Sequence, residues 1–566
     1  VAVSLAPIAL VFIGVLTLGY LLYGRLLARR FGLSDDARTP AEELNDGVDY
    51  VPTKPFYLLG QHFSAIAAAG PIVGPILACQ QFGWIPCLLW IGLGVVFIGA
   101  VHDFSALFAS VRHRGRSIAE IVKENLGPRA WIAMMCFIWI ALVYVIVAFA
   151  DVTAGTFVGR IEELQGVKVG FERGGAVAFS SIAYLLLAVV MGLIQKRWNP
   201  PLWIMTVIFV PATLAVVWLG TQCSTLLVMG GGNPQKTWGV LILAYCFVAS
   251  MLPVWTLLQP RGYLGGFVLY IVLAVGVIGV FFGGHSIEQE SFKGFAQPGA
   301  TGLLFPFLFV TIACGACSGF HGLVCSGTTS KQIMRETHCR AVGYGGMLME
   351  GFVALIALAT VMILAKPSGP PGAIYGQGIG QFLTVIIGKE NLLFAIVFGS
   401  MAFSTFVFDT LDVATRLGRY ILQELFNARS TAAAAGATLA TVGAPLYFIL
   451  TADTPAPGKP PAYMAFWTLF GTSNQLLAAL TLLGVTVWLF RQGKPAWFTL
   501  APMGFVMSIT IWALGIQAWN VARASGPVTG IMAANGVAAV VLMVLAAVMI
   551  VESVISARRH VLGRAP

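Results

Sequence analysis

Charge is what this chain has least of: of 566 residues only 10% are Asp, Glu, Lys or Arg, against 58% that are hydrophobic. With a mean hydropathy of +0.86, that scarcity excludes a soluble globular fold, in which roughly 25% of residues are charged. No polar stretch between apolar segments is long enough for a soluble domain, which argues against a separate cofactor-binding or catalytic module. The nine cysteines (79, 87, 136, 223, 246, 314, 317, 325 and 339) fall almost entirely in apolar segments or on one face, so no extracellular disulfide framework is implied. Segment 3–24 has no basic run before it and no small-residue cleavage site after it, and reads as a retained span rather than a signal peptide. The net charge of +10 is scattered over short loops, which excludes a nucleic-acid partner.

Long apolar runs are what the sequence does have. At roughly 20 residues per span, fifteen candidates are expected between 3–24 and 530–555, the fold class being an all-α polytopic membrane protein. If the loop after the first span is cytoplasmic, the inner loops carry 24 of the 33 Lys and Arg residues. Positive residues favour the cytoplasmic side, so the N-terminus is expected outside and the C-terminus inside. The polar segment 25–56 then lies in the cytoplasm, with Thr39-Pro40 and Glu42-Glu43 opening a short surface helix on a solvated linker.

One run, "IAAAGPIVGPILA" at 66–78, carries two Gly-Pro pairs. Proline removes a helical N–H and clashes with the carbonyl four residues back. Unpaired backbone in hydrocarbon survives only where it is buried in protein or lines a wet cavity. Gly70, Pro71, Gly74 and Pro75 are therefore expected to form an unwound, substrate-binding segment at mid-membrane. A second interruption is expected near Pro253, within the candidate span 238–258. Spans 2 to 6 and 7 to 11 form two groups of five that begin from opposite faces, the arrangement of an inverted repeat, and interrupted helices at matching places point to a transport site. The expected organisation is an extra N-terminal span (1–30), a cytoplasmic segment (31–55), a first five-helix repeat (56–220), a second (238–416) and four additional C-terminal spans (430–566).

Ionisable residues inside spans are functional by default. Asp103, Asp151, Glu350, Asp409 and Asp412 lie in such positions, and Asp409 and Asp412 share one helical face. Asp103, Asp409 and Asp412 are taken as ion-coupling candidates, with an Asp412–Arg416 pair as the structural alternative for Asp412. His321 titrates near neutral pH. Cys314, Cys317, His321 and Cys325 share a face of a continuous helix, with ligand types that suit zinc. A straight helix would spread them over about 16 Å, so a single metal requires a break, and the metal question stays open.

Several stretches are recognisable together: "DGVDYVPT" (46–53), "HFSAIAAAGPIVGP" (62–75), "GAVHDF" (99–104), "GRSIAEIVKE" (115–124), "LPVWTLLQPRGYL" (252–264), "FPFLFVTIACGACSGFHGLVCSGTT" (305–329), "GYGGMLMEGFVAL" (343–355) and "LDVATRLGRYILQE" (411–424). Over about residues 20–490 the chain resembles the carbon starvation protein A family. The resemblance implies a leucine-transporter-like 5+5 inverted repeat with extra helices in the bacterial plasma (inner) membrane. It also implies secondary import of small peptides, with pyruvate/proton symport as the alternative, protons (or sodium) as the coupling ion and no cofactor. Substrate contacts are then expected from His62, Gly70, Pro71, Gly74, Pro75, Pro253, Ser318 and His321. Ion coupling is expected from Asp103, Ser326, Thr328, Thr329, Asp409 and Asp412, the span-9 hydroxyls facing span 2. The chain departs from the family pattern at Gln61-His62, where a His pair is usual, and at His102, where Gln is common. No filter loop favours a channel. No paired haem histidines favour a redox enzyme, and a metal or redox protein using the Cys/His face is the remaining alternative.

Overall fold

The structure is a computed structural model that describes residues 3–47, 49–67, 69–158, 171–298, 301–428, 430–452, 462–524 and 530–562. Among the described residues the chain is helical apart from connections and isolated bridges. A short helix, Pro40–Glu43, stands where Thr39-Pro40 led one to be expected; the helices of eight residues or more are, in chain order, α1 (Leu5–Phe31), α2 (Pro55–Ile66), α3 (Gly70–Phe82), α4 (Trp84–Arg112), α5 (Ile118–Leu126), α6 (Pro128–Thr156), α7 (Arg173–Trp198), α8 (Leu202–Gln222), α9 (Pro234–Met251), α10 (Leu258–Phe282), α11 (Leu304–Thr311), α12 (Gly319–Gly327), α13 (Arg340–Met362), α14 (Pro371–Ile387), α15 (Leu392–Leu425), α16 (Thr431–Thr451), α17 (Ala462–Arg491), α18 (Trp497–Ala522) and α19 (Gly530–Val561). Exposed positions on α8 and α19 are largely apolar, among them Trp203, Val207, Ile208 and Trp218 on the former and Val537, Val544 and Val551 on the latter. Side chains of that kind belong against lipid.

Among the described residues twelve helices are long and apolar enough to cross a membrane, or thirteen if the bent pair α2 and α3 counts as one span. The expectation of fifteen is therefore not met by length and composition. Its three missing members are 57–82, bent by 49° between α2 and α3, 238–258, where α9 ends at Met251 and spends its first turn on the polar residues Gln235, Lys236 and Thr237, and 301–329, split into α11 and α12. A further apolar helix, α14, was not expected at all.

The chain divides into two compact units. The first comprises residues 1–9, 142–290 and 356–466. Within it α14 and α15 meet backbone to backbone. A Cβ on Gly380 would lie 2.7 Å from Ile396, and one on Gly376 would collide with Ser400. Such small-residue spacing is how membrane helices approach closely. Pro253 lies in the turn between α9 and α10, so it ends one helix rather than interrupting a span at mid-depth. The last carbonyls of α9 are capped by side chains: Arg416 donates to Ala249 and Leu252 (2.6 and 3.0 Å), and Arg419 to Ser250 (2.6 Å).

The second unit comprises residues 10–141, 291–355 and 467–566. Gly70 and Pro71 open α3 and Pro75 lies inside it, so the Gly-Pro pairs belong to a helix and are not themselves unwound. Proline is tolerated in a first helical turn, where its missing N–H has no partner to lose. The interruption precedes them, after Ala67 takes the α2 C-cap. Gly70 and Gly74 serve close approach instead: a Cβ at 74 would sit 2.6 Å from the Thr311 carbonyl oxygen, and one at 70 would strike Cys314. Both neighbours belong to the second interrupted helix, whose halves α11 and α12 flank the non-helical residues 312–318. On the polar side of this unit the segment after α1 is largely exposed, as expected of a solvated linker, but it is anchored at several points. Ser34 N–H donates to Glu336 (2.9 Å), Arg112 grips the same carboxylate (2.5 Å), and Thr53 bridges Ile333. A hydrogen bond from the Thr337 hydroxyl holds the Asp35 carboxyl below its usual range.

Gly74→Val is expected to lower stability by about 1–3 kcal/mol through forced overpacking. Thermal unfolding in detergent checks this, with Gly14→Val as the neutral control because nothing lies within 4 Å of a Cβ at Gly14.

Candidate functional site: a buried carboxylate and imidazole chain

An unwound stretch inside a membrane protein must find partners for its carbonyls. Around 312–318 the partners are backbone and side chains together: the Ala313 carbonyl accepts the Ala316 and Cys317 N–H groups (3.1 and 2.7 Å). Trp90 Nε1 donates to the Ile312 carbonyl (3.1 Å), Trp467 Nε1 to Thr311 (3.1 Å), and Gln475 Nε2 to Phe309 (2.9 Å). Asn474 completes the set: its Oδ1 accepts the Phe320 N–H (2.9 Å) at the start of α12, and its Nδ2 reaches Ser318 Oγ and Cys314 Sγ (3.1 Å each). Three of these four side chains sit on α17, expected only as an additional C-terminal span.

The first turn of α12, held in this way, aims His321 at two acids. Its Nδ1 lies 2.8 Å from Asp103 Oδ2 of α4 and its Nε2 lies 3.0 Å from Glu350 Oε2 of α13. The other oxygen of Asp103, Oδ1, meets His102 Nδ1 at 2.7 Å. The four side chains thus form one chain, His102–Asp103–His321–Glu350, each at most 1% exposed. His62 of α2 stands beside it, its Nδ1 2.9 Å from Thr329 Oγ1 and its Nε2 4.0 Å from Cys325 Sγ. Two acids thus face one imidazole inside the protein, with a second imidazole on the far oxygen of Asp103.

The structure places His321 against Asp103 and His62 against Thr329, groupings the sequence did not specify. Ser326 turns to α5 instead, accepting the Ile118 N–H (3.0 Å) and donating to the Gly322 carbonyl (2.6 Å). Ser318 pairs with Asn474, and Thr328 is exposed, so neither joins the chain of acids. The four-ligand face of Cys314, Cys317, His321 and Cys325 does not exist as a face, because the first two lie in the non-helical stretch and the last two in α12. Among the described residues one group has metal-like spacing, His62, Asp103 and Cys325, with ligand atoms within 4.8 Å of one another. Both Asp103 oxygens already accept from histidines and His62 Nδ1 is paired with Thr329, so these residues read as part of the hydrogen-bonded chain.

Asp409 and Asp412 belong to the first unit, in a different cluster. Arg261 of α10, fully buried, donates through Nε to Asp409 (2.8 Å), through Nη1 to Asp412, and through Nη1 to Tyr245 Oη (2.9 Å). Tyr245 in turn donates to Asp412 (2.9 Å). Asp412 therefore pairs with Arg261 and not with Arg416, whose guanidinium caps α9. Asp151, also in this unit, accepts from Gln235 (2.9 Å).

Arg261 escaped the sequence reading because its span was taken to start at 263, which left it in a loop. An Arg three residues inside an apolar helix is the signal that could have found it. His102 stood out only as a departure from the family pattern, and Asn474 carries no local signal, being one amide in a long apolar run. Arg261→Met removes the common partner of two carboxylates and is expected to cost about 3–5 kcal/mol, the range for breaking a buried ion pair. Asp409→Asn should cost less, since Asp409 is 22% exposed. Unfolding of the purified variants measures both.

The family model described as carbon starvation protein CstA matches residues 3–370 and 368–513. The peptide transporter CstA of Bacillus subtilis is 31% identical over 95% of this chain and 95% of its own length. The peptide transporter CstA of Mycobacterium tuberculosis is 33% identical over 88% and 73%. The pyruvate/proton symporter BtsT of Escherichia coli is 30% identical over 92% and 82%. Among solved structures, MhsT in complex with L-phenylalanine matches 86% of this chain and 98% of its own at 13% identity, with a TM-score of 0.45. The matched regions cover nearly the whole polytopic fold and its chain of buried acids: the protein is a member of the carbon starvation protein CstA family.

Proposed function

We propose that this chain is a secondary transporter of the bacterial plasma (inner) membrane that imports small peptides, with uptake driven by protons. The observation that carries the reading is the buried chain His102–Asp103–His321–Glu350 beside two interrupted helices in one unit. Ionisable side chains at such depth are costly and mark ion pathways, and this set is built to exchange one proton without exposing a charge to lipid. Seven relatives named as peptide transporters, against one named as a pyruvate/proton symporter, favour peptide as the substrate. Pyruvate is the second reading, supported by the 30% identity to that symporter. Asp409 and Asp412 are read as architectural, holding Arg261, rather than as coupling residues.

Reconstituted into liposomes, the protein should concentrate a labelled dipeptide when the outside is acid, with the rate rising as external pH falls from about 8 to about 6, the range over which imidazoles charge. Glu350→Gln should abolish accumulation against a gradient while exchange of dipeptide across the membrane persists. Asp412→Asn should instead reduce accumulation and exchange in equal proportion, together with thermal stability. Uptake that follows a sodium gradient and ignores pH, or pyruvate uptake with no dipeptide uptake, would replace the respective half of this reading.

A further inference from the structure

Between α1, α2 and α13 of the second unit runs a groove of about 460 Å³, open along one side. α1 lends Ile13, Thr17 and Leu21 to its walls, α2 lends Leu59, and α13 lends Ala341 and Phe352. At 1.5 Å per residue the stripe Ile13–Leu21 is about 12 Å long and Ala341–Phe352 about 16 Å, half of the roughly 30 Å hydrocarbon core of a bilayer. The groove therefore matches one leaflet in length. Its walls offer little to a polar ligand: Thr17 donates its hydroxyl to the Ile13 carbonyl (2.8 Å), and Tyr20 accepts from Arg340 (3.4 Å). That argues against a second peptide site and for a hydrocarbon chain. One end of the groove is basic. Arg340, the first residue of α13, packs its guanidinium over the Tyr20 ring, 4.7 Å from the centre, and Arg25 stands exposed one turn past Leu21 on α1. Neither arginine forms an ion pair among the described residues. Glu336, the acid nearest to Arg340 in sequence, is taken by Arg112 and the Ser34 amide. Uncommitted cations at the end of a lipid-facing groove attract anionic headgroups, and a guanidinium matches phosphate oxygens with paired donors.

We propose that this groove holds one anionic phospholipid, with an acyl chain lying between α1 and α13 and the phosphate against Arg340 and Arg25, and that the bound lipid promotes transport. The site stands apart from the transport reading above, and its effect on rate rests on that reading. Leu59 is three residues from His62, and Met349, which also lines the groove, adjoins Glu350. The lipid therefore backs two helices that carry members of the buried polar cluster, His62 on α2 and Glu350 on α13. Those helices press together where a Cβ on Gly346 would lie 2.9 Å from His62 Cδ2. A chain in the groove supports this contact from behind.

The purified protein, stripped of lipid in detergent, is titrated with dioleoyl phosphatidylglycerol or phosphatidylcholine and weighed intact by native mass spectrometry. One phosphatidylglycerol should bind per chain, preferred about twentyfold, from roughly fivefold for each arginine near the headgroup. Arg25→Gln with Arg340→Gln should erase the preference, whereas Arg25→Lys with Arg340→Lys should keep it. Ala341→Leu, which narrows the groove and spares both arginines, should weaken both lipids. Phosphatidylglycerol with a photoreactive diazirine in its acyl chain should label α1 and α13. Equal binding of the two lipids by the wild type, or labelling confined to other helices, overturns the site. A wild type that dimerises through α1 without lipid, and becomes monomeric with Ala341→Leu, overturns it in favour of a second copy. In vesicles of phosphatidylcholine alone, labelled dialanine exchange by the wild type should run about fivefold slower than in vesicles that also contain phosphatidylglycerol, and the glutamine pair should be slow in both. Equal wild-type rates overturn the effect on transport. Absence of exchange in every vesicle sinks the transport reading instead, while the mass measurement still decides the site.

Discussion

Everything in the second unit depends on one constraint: backbone carbonyls released inside hydrocarbon must be given donors by the protein. The stretch where α11 gives way to the non-helical residues 312–318 meets it with donors from Trp90, Trp467 and Gln475, while Asn474 accepts the Phe320 N–H where α12 begins. Those four side chains fix where α12 begins, and the start of α12 fixes where His321 points. The glycines at 70 and 74 are the other face of the same requirement, since α3 must approach the interrupted backbone closely enough to exclude lipid. A helix that looks accessory in sequence, α17, is 94% buried across its apolar window and supplies three of the four side chains.

The two units bury charge by different means. In the first, a guanidinium with five fixed donors gathers two carboxylates and a phenol, a geometry that resists rearrangement because each contact is directional. In the second, imidazoles separate the acids, and an imidazole can pass a proton from one nitrogen to the other without moving its ring. The first arrangement suits a fixed joint and the second a transfer path. That contrast is the reason Asp103 and Glu350 carry the functional reading while Asp409 and Asp412, though equally deep in sequence, do not.

The membrane class and most helices were legible because a 20-residue apolar run has few other uses. Failures occurred where glycine or a break diluted the apolar signal. The helix at 371–387 was overlooked because Gly372, Gly376 and Gly380, which let it press against α15, and Gly378, which lets it press against Thr360 of α13, also lower its hydropathy. Span 301–329 looked continuous because its interruption at 312–318 contains no proline, only small residues whose unwinding is decided by donors more than 150 positions away. The Gly-Pro pairs at 70 and 74 pointed to the right neighbourhood and the wrong residues, since proline in a first turn begins a helix as readily as it breaks one. Asp103 and His321 were found as intramembrane ionisable groups. Their meeting through His102 and Glu350 is a tertiary fact, invisible until the helices are placed.

The strap between the segment after α1 and Glu336 bears on how the protein is handled. Glu336 is 1% exposed and receives both Arg112 and the Ser34 amide, so the start of this segment is anchored to the folded body and not a free tether. Epitope tags, protease sites or fluorescent inserts placed there would pry at the far end of the interrupted helix. The loop sequence that looks most disposable to a designer is, in mechanical terms, a clasp.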